Sequence, residues 1–204
     1  MASPHIAFLA SPVPAAQEAL EVLTGLHGQC PPYAADVIVA LGGDGFMLQT
    51  LHETMGLGLP VYGMNRGTVG FLMNEYSESD LQERLSDAEE EVINPLSMIA
   101  EDRAGEIHRQ LAINEVSLLR AGPQAAKLRI YIDARLRMQE LVCDGALLAT
   151  PWASEDRTAR NSGSAISRRE SPISAGTARN SAVFGLALRR AMLPCFRVMR
   201  ATAA

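Results

Sequence analysis

The chain has 204 residues, 48% of them apolar and 20% charged, a composition that suits a globular protein with one good core or two small ones and excludes disorder throughout. No apolar run reaches membrane-spanning length, and Met1-Ala-Ser-Pro-His5 lacks the basic flank of a secretory signal, so a cytoplasmic protein with no membrane partner is expected. The net charge of −5 is unevenly spread: residues 1–151 hold 9 Lys+Arg against 20 Asp+Glu, while residues 152–204 hold 9 Arg against 3 acids. An acidic body argues against nucleic acid as the main partner.

His5 to Ala10 reads as a first strand. Ser11 and Pro14 then open a helix carrying Ala16, Leu20, Leu23 and Leu26, which Gly28 stops. Val37 to Leu41 is a continuous, β-branched apolar run of the kind buried on both faces of a parallel sheet. It ends at Gly42-Gly43-Asp44-Gly45, after which Phe46, Leu48, Leu51 and Met55 fall near helical spacing; Leu59 to Met64 supplies another strand. Strands alternating with helices predict an α/β domain with a parallel sheet, whose ligands bind beyond the carboxyl ends of the strands.

Glycines around one aspartate suit a phosphorylated ligand brought against the backbone, where N–H groups and a helix N-terminus attract phosphate oxygens. An aspartate there repels phosphate, which points to a separate chemical role for Asp44, such as accepting a proton from a hydroxyl nucleophile or helping to hold Mg²⁺. Its alternative reading is a cap on the helix beginning near Gly45. Gly63, Gly67 and Gly70 space a second loop around Asn65, read either as a ligand-facing loop or as an asparagine turn.

Ser79-Asp-Leu-Gln82 has the form of a capping box ahead of a helix with Leu81, Leu85 and Ala88 on one face, and the acids Asp87 and Glu89 to Glu91 read as a solvated surface. From Val92 the texture becomes β-rich, in segments Leu96 to Ala100, Ile107 to Leu119, Leu128 to Ile132 and Leu136 to Leu148. Asn114-Glu115 falls inside one of these strands. Such a pair either satisfies neighbouring backbone or binds a ribose diol, the carboxylate accepting from hydroxyls and the amide doing both. Cys30, Cys143 and Cys195 read as free thiols, and neither they nor the four histidines form a metal-ligand cluster.

Taken in order, Gly42-Gly43-Asp44-Gly45, the stretch Gly63 to Leu72, Asn114-Glu115 and Asp144-Gly145 through Thr150-Pro151 resemble the four motifs of the NAD kinases. The resemblance spans residues 6 to 151. It implies a Rossmann-like parallel-sheet domain over residues 1–92, followed over 93–151 by an incomplete β-rich, β-sandwich-like domain. It implies transfer of a phosphoryl group from ATP or polyphosphate to the 2′-hydroxyl of the adenosine ribose of NAD, with Asp44 as general base and Mg²⁺ or another divalent cation as cofactor. Gly42, Gly43 and Gly45 would hold the phosphate donor. Asn65, Asn114, Glu115, Asp144 and Thr150 would contact the dinucleotide, Asp144 toward NAD held by a neighbouring subunit in a homo-oligomer.

After Pro151 the pattern departs from the family, which continues into a Gly-Ser-Thr-Ala-Tyr loop, whereas this chain reads Trp152-Ala-Ser-Glu-Asp-Arg-Thr-Ala-Arg160. Residues 152–204 read as an atypical basic tail. A shifted reading frame, a natural disordered or interaction tail, and a divergent adenosine loop each account for it. A short helix between Gly185 and Pro194 and a second domain too short to complete its sheet are expected, with low stability as the consequence. Two rival functions follow: a truncated or frame-shifted, catalytically impaired NAD kinase homologue, and a lipid kinase of the diacylglycerol kinase type, which shares the Gly-Gly-Asp-Gly turn.

Overall fold

A computed structural model of the chain describes residues 4–67, 72–150, 173–176, 185–190 and 196–201. It forms two compact units, Met1–Ile93 with Pro194–Ala204, and Asn94–Leu193.

In the first unit, β1 (Ile6–Ala10), α1 (Pro14–His27), β2 (Val37–Gly42), α2 (Asp44–Thr54), β3 (Pro60–Asn65), α3 (Leu81–Ser86) and β4 (Glu89–Ile93) follow in chain order. Pro14 occupies the first turn of α1 and Gly28 ends it with a φ of 78°, a conformation that favours glycine. Every residue of β2 is buried, as its unbroken apolar run requires. The core gathers Phe8, Leu23, Val39, Leu41, Tyr62, Met64 and Leu81, with full burial of each such side chain contributing about 1.5–3 kcal/mol. The outer edge of β1 is covered: Gln29 accepts from Phe8 N and donates to Phe8 O, at 2.8 and 2.9 Å.

Several local expectations shift. The α2 face turned to the core carries Met47, Thr50, Leu51 and Thr54, so the helix is rotated from the Phe46, Leu48, Met55 stripe. Leu26 stays 61% exposed, and Ala19 takes the buried position on α1. Ser79 does not cap α3. Asp80, left-handed at φ 55°, precedes that helix, and no side chain caps it.

The largest difference lies at the end of the chain. Phe196–Arg200 is a strand, β13, inserted between β3 and β4, so the sheet runs β1-β2-β3-β13-β4 with β13 parallel to β3 and antiparallel to β4. Phe196 and Val198 are buried. The acidic run read as a solvated face is β4, and it pairs with a basic strand: Arg197 meets Glu90, and Arg200 lies 3.5 Å from Glu91. Phe196 and Val198, two residues apart, share the buried face, while Arg197 and Met199 between and after them are half-buried on the other, as the period of a strand requires.

The second unit holds β5 (Leu96–Glu101), β6 (Ile107–Ala112), β7 (Glu115–Leu119), β8 (Ala126–Ile132), β9 (Arg135–Cys143), β10 (Gly145–Ala149), β11 (Ile173–Gly176) and β12 (Gly185–Arg190). A six-stranded sheet runs β6-β5-β12-β11-β8-β9, and β7 and β10 form a separate antiparallel pair. Strands from beyond residue 151 thus occupy the middle of that sheet, where an unfinished edge was expected, and Gly185–Arg190 is extended where a helix was expected. The break between β6 and β7 falls at Ile113-Asn114, so the Asn114-Glu115 pair sits at a strand start and not inside a strand. Among the described residues no helix is long and apolar enough to cross a membrane.

Candidate functional site

Two groups of predicted residues come together, one in each unit. In the first, β2 delivers Gly42 beside Asn65, its register partner at the carboxyl end of β3. The two strand ends are tied by Arg66 N, which donates to Gly42 O at 2.7 Å. Gly43 is the N-cap of α2 and Asp44 its first residue, so the capping role considered for Asp44 passes to a glycine. Asp44 is half-buried, and Oδ1 accepts from the main-chain N–H of Leu72 at 3.0 Å. That bond fixes the carboxylate beside the helix N-terminus, where the macrodipole favours negative charge.

The glycines of the turn have different physical reasons. A Cβ on Gly42 would lie 2.9 Å from Phe46 Cβ, so packing alone calls for glycine there. Gly43 and Gly45 would meet nothing within 4 Å, and neither has a positive φ. Gly45, inside the first turn of α2, weakens the helix by roughly 0.5–1 kcal/mol relative to alanine. Neither the backbone nor the packing of the first unit needs glycine at position 45, and the open space around it is what a closely approaching ligand requires.

The second glycine loop divides likewise. Gly63 lies within β3, where a Cβ would meet Met73 Sδ at 2.6 Å and Leu72 O at 3.2 Å; it lets the segment Leu72-Met73 fold back onto the strand. Asn65 Oδ1 accepts from Gly67 N at 2.9 Å, the asparagine-turn bond. Gly70 and Phe71 lie outside the described residues. Sequence reasoning missed Arg66, whose Nε donates to Ala15 O at 3.0 Å and whose guanidinium stacks on Tyr76 at 4.1 Å. The main-chain N–H of Leu72, whose side chain is buried in the core, also left no mark on residue type.

In the second unit, Asn114, Glu115 and Thr150 converge at one end of the β7–β10 ladder. Thr150 N donates to Asn114 O at 2.7 Å, the buried Thr150 hydroxyl donates to Ile113 O at 2.6 Å, and Glu115 is the register partner of Ala149. Asp144 is at the other end, five residue pairs away, which is about 13–17 Å along the strand. There it is exposed and paired with Arg120, Nε to Oδ1 at 2.7 Å. Gly145 beside it is needed by the fold, since a Cβ there would run into the main-chain oxygen of Leu118. The close approach of the neighbouring strand thus accounts for Gly145, and Asp144 stands apart from the other three residues. Pro151 and the segment beginning Trp152 fall outside the described residues, as does Cys195.

Residues 29–93 match the sequence profile of the ATP-NAD kinase N-terminal domain. The chain is similar to an NAD kinase of Cereibacter sphaeroides, 65% identical over 154 residues, which are 76% of this chain and 61% of that protein. An NAD kinase of Caulobacter vibrioides is 62% identical over 150 residues, 74% of this chain and 58% of its own length. The chain therefore spans about three fifths of the length of these curated relatives. Its fold is like that of an NAD kinase from Archaeoglobus fulgidus, crystallised in complex with ATP, with a TM-score of 0.66 at 19% identity over 97% of this chain and 94% of that one. Over about three quarters of its length the chain is thus similar to proteins named NAD kinase, and the glycine turn lies inside the matched N-terminal domain profile.

Proposed function

We propose that the chain carries NAD kinase activity, transferring the γ-phosphoryl group of ATP, or a phosphoryl group of polyphosphate, to the 2′-hydroxyl of the adenosine ribose of NAD. The observation that carries this reading is the pairing of Gly45, a glycine with no folding reason, with Asp44, a carboxylate held at the same helix start by Leu72. The open backbone at Gly43 and Gly45 would receive donor phosphates on main-chain N–H groups. Asp44 would take the hydroxyl proton as the new O–P bond forms and the bond to the leaving ADP breaks. Its fixed orientation matters because phosphoryl transfer depends on positioning more than on covalent chemistry by the protein.

No lysine stands in or next to the turn, so backbone dipoles carry much of the stabilisation of transferred charge. One carboxylate beside a phosphate-binding backbone is a donor set that suits Mg²⁺ or another divalent cation. With Asp44 and the donor's oxygens as ligands, the cation would neutralise phosphate charge. Asn114, Glu115 and Thr150 would hold the dinucleotide, the Glu115 carboxylate accepting from ribose hydroxyls. Asn65 and Asp144 are carried in this role by resemblance to the family. A homo-oligomer in the cytoplasm is part of the same reading.

The test is NADP formation by the purified chain with NAD, ATP and Mg²⁺, beside Asp44→Asn. Turnover that falls by about 10²–10⁴ in the variant is expected. A folded sample that binds nucleotide but makes no NADP would instead support a catalytically impaired homologue, for which the departure from Gly-Ser-Thr-Ala-Tyr after Pro151 is the motive. Relatives named NAD kinase at 62–65% identity do not favour the lipid kinase alternative.

A further inference from the structure

Asn74 joins three parts of the first unit through one side chain. Its Nδ2 donates to Gly63 O at 3.0 Å and to Met199 O at 3.1 Å, while its Oδ1 accepts from Ala201 N at 2.8 Å. Its main chain is engaged as well: Asn74 N donates to Gly63 O at 2.8 Å, and Asn65 N donates to Asn74 O at 2.9 Å. The β3–β13 ladder runs only from Pro60↔Arg197 to Tyr62↔Met199. Beyond it the carboxamide acts as an extra peptide group, with donor and acceptor matched to the backbone on both sides. Two residues before Asn74, Leu72 donates to the Asp44 carboxylate.

We propose that Asn74 is a positioning residue for Asp44, and that it makes the C-terminal strand β13 part of the site's support. The connection is short and covalent where it matters: β13 holds Asn74, Asn74 fixes the start of the backbone that returns through Met73 to Leu72, and Leu72 orients Asp44. Phe196 braces the same region from a second side, its ring edge-on to His52 of α2 at 5.6 Å between centroids, and α2 is the helix that Asp44 begins. A chain ending before Phe196 would leave Asn74 without its partners at Met199 and Ala201. The consequence for activity rests on the kinase reading; the structural coupling of Asn74 to Leu72 does not.

The experiment compares wild type with Asn74→Ala and with Gln29→Ala, which removes a two-bond side-chain amide from the opposite edge of the same sheet. Amide hydrogen exchange at Leu72 and the kcat and KM for NADP formation are measured in each. Asn74→Ala is expected to speed exchange at Leu72 and lower kcat by about tenfold with KM for NAD unchanged, while Gln29→Ala does neither. Equal effects in both variants, or an unaltered Leu72 in Asn74→Ala, would overturn the proposal. Ala201→Pro removes the N–H that reaches Asn74 Oδ1 while leaving the Asn74 side chain in place, and it supplies the same comparison should Asn74→Ala fail to fold. If wild type makes no NADP, the kinase reading fails, and the exchange comparison alone decides the role of Asn74.

Discussion

The main-chain N–H of Leu72 and the Asp44 carboxylate, 28 residues apart in sequence, meet at 3.0 Å. This bond separates the structural role of Asp44 from its chemical one. Asn at position 44 keeps an oxygen that accepts from Leu72, whereas Ala leaves the donor without that partner. Asp44→Asn should therefore change the unfolding free energy by less than about 1 kcal/mol while removing the proton acceptor. Asp44→Ala should lower stability further, by about 1–2 kcal/mol. Urea unfolding of both variants, set beside their NADP formation, checks the separation. Equal stability loss in the two would mean that Asn cannot replace the carboxylate at this bond.

Gly45→Ala tests the argument from open space. Inside the first turn of α2, alanine should raise stability by roughly 0.5–1 kcal/mol, because glycine is a poor helix former and its added Cβ meets nothing within 4 Å. A ligand drawn against the backbone would meet that same Cβ. We expect a higher melting temperature together with weaker ATP binding by calorimetry. Stabilisation with unchanged ATP affinity would remove the ligand from the explanation of this glycine.

The first unit was legible where sequence and packing agree locally. The run Val37 to Leu41 is buried on both faces, Pro14 and Gly28 bracket α1, and the glycine turn follows its strand. Contacts distant in sequence were illegible. Glu89 and Glu90 are exposed, as a solvated charge run would be, but the pairing of Glu90 and Glu91 with Arg197 and Arg200 could not be read, because those partners come more than a hundred residues later. Asn74 carried no signal, since its bonds run to main-chain atoms of Gly63, Met199 and Ala201, which any residue type would supply. Asn114-Glu115 was found by residue type, but the strand break at Ile113-Asn114 was not, because the apolar pattern continues across it.

Asp102 gives a pH prediction. On the β5–β6 turn its carboxylate accepts from Ala104 N and Glu106 N at 2.8 and 2.9 Å and lies 3.3 Å from His108 Nε2. The main-chain N–H of Glu106, then His108, hold the Asp102 carboxyl below its ordinary value. A lowered folded-state value means stability that is fully present above the unfolded value, about 3.9, and lost as pH falls through the folded one. The melting temperature of wild type should exceed that of Asp102→Asn above about pH 4, with the gap closing as pH falls below the unfolded value and through the lowered folded one. A gap independent of pH would assign the difference to turn geometry instead of charge.

Val198→Asp asks whether the end of the chain belongs to the first unit's sheet. Val198 is 1% exposed, paired with Val61 on one side and Glu91 on the other. A carboxylate there would be buried between two strands, next to an existing acid. The cost expected from burying an unpaired charge is at least about 3 kcal/mol, a large share of the roughly 5–15 kcal/mol that holds an ordinary domain folded. The neighbouring Met199→Asp, at a half-buried position, should cost less. Circular dichroism melts of the two variants measure the ordering. If residues 152–204 were an appended tail, both substitutions would leave the melt unchanged; if β13 completes the sheet, Val198→Asp should lower the melting temperature of the first unit sharply, and well beyond Met199→Asp.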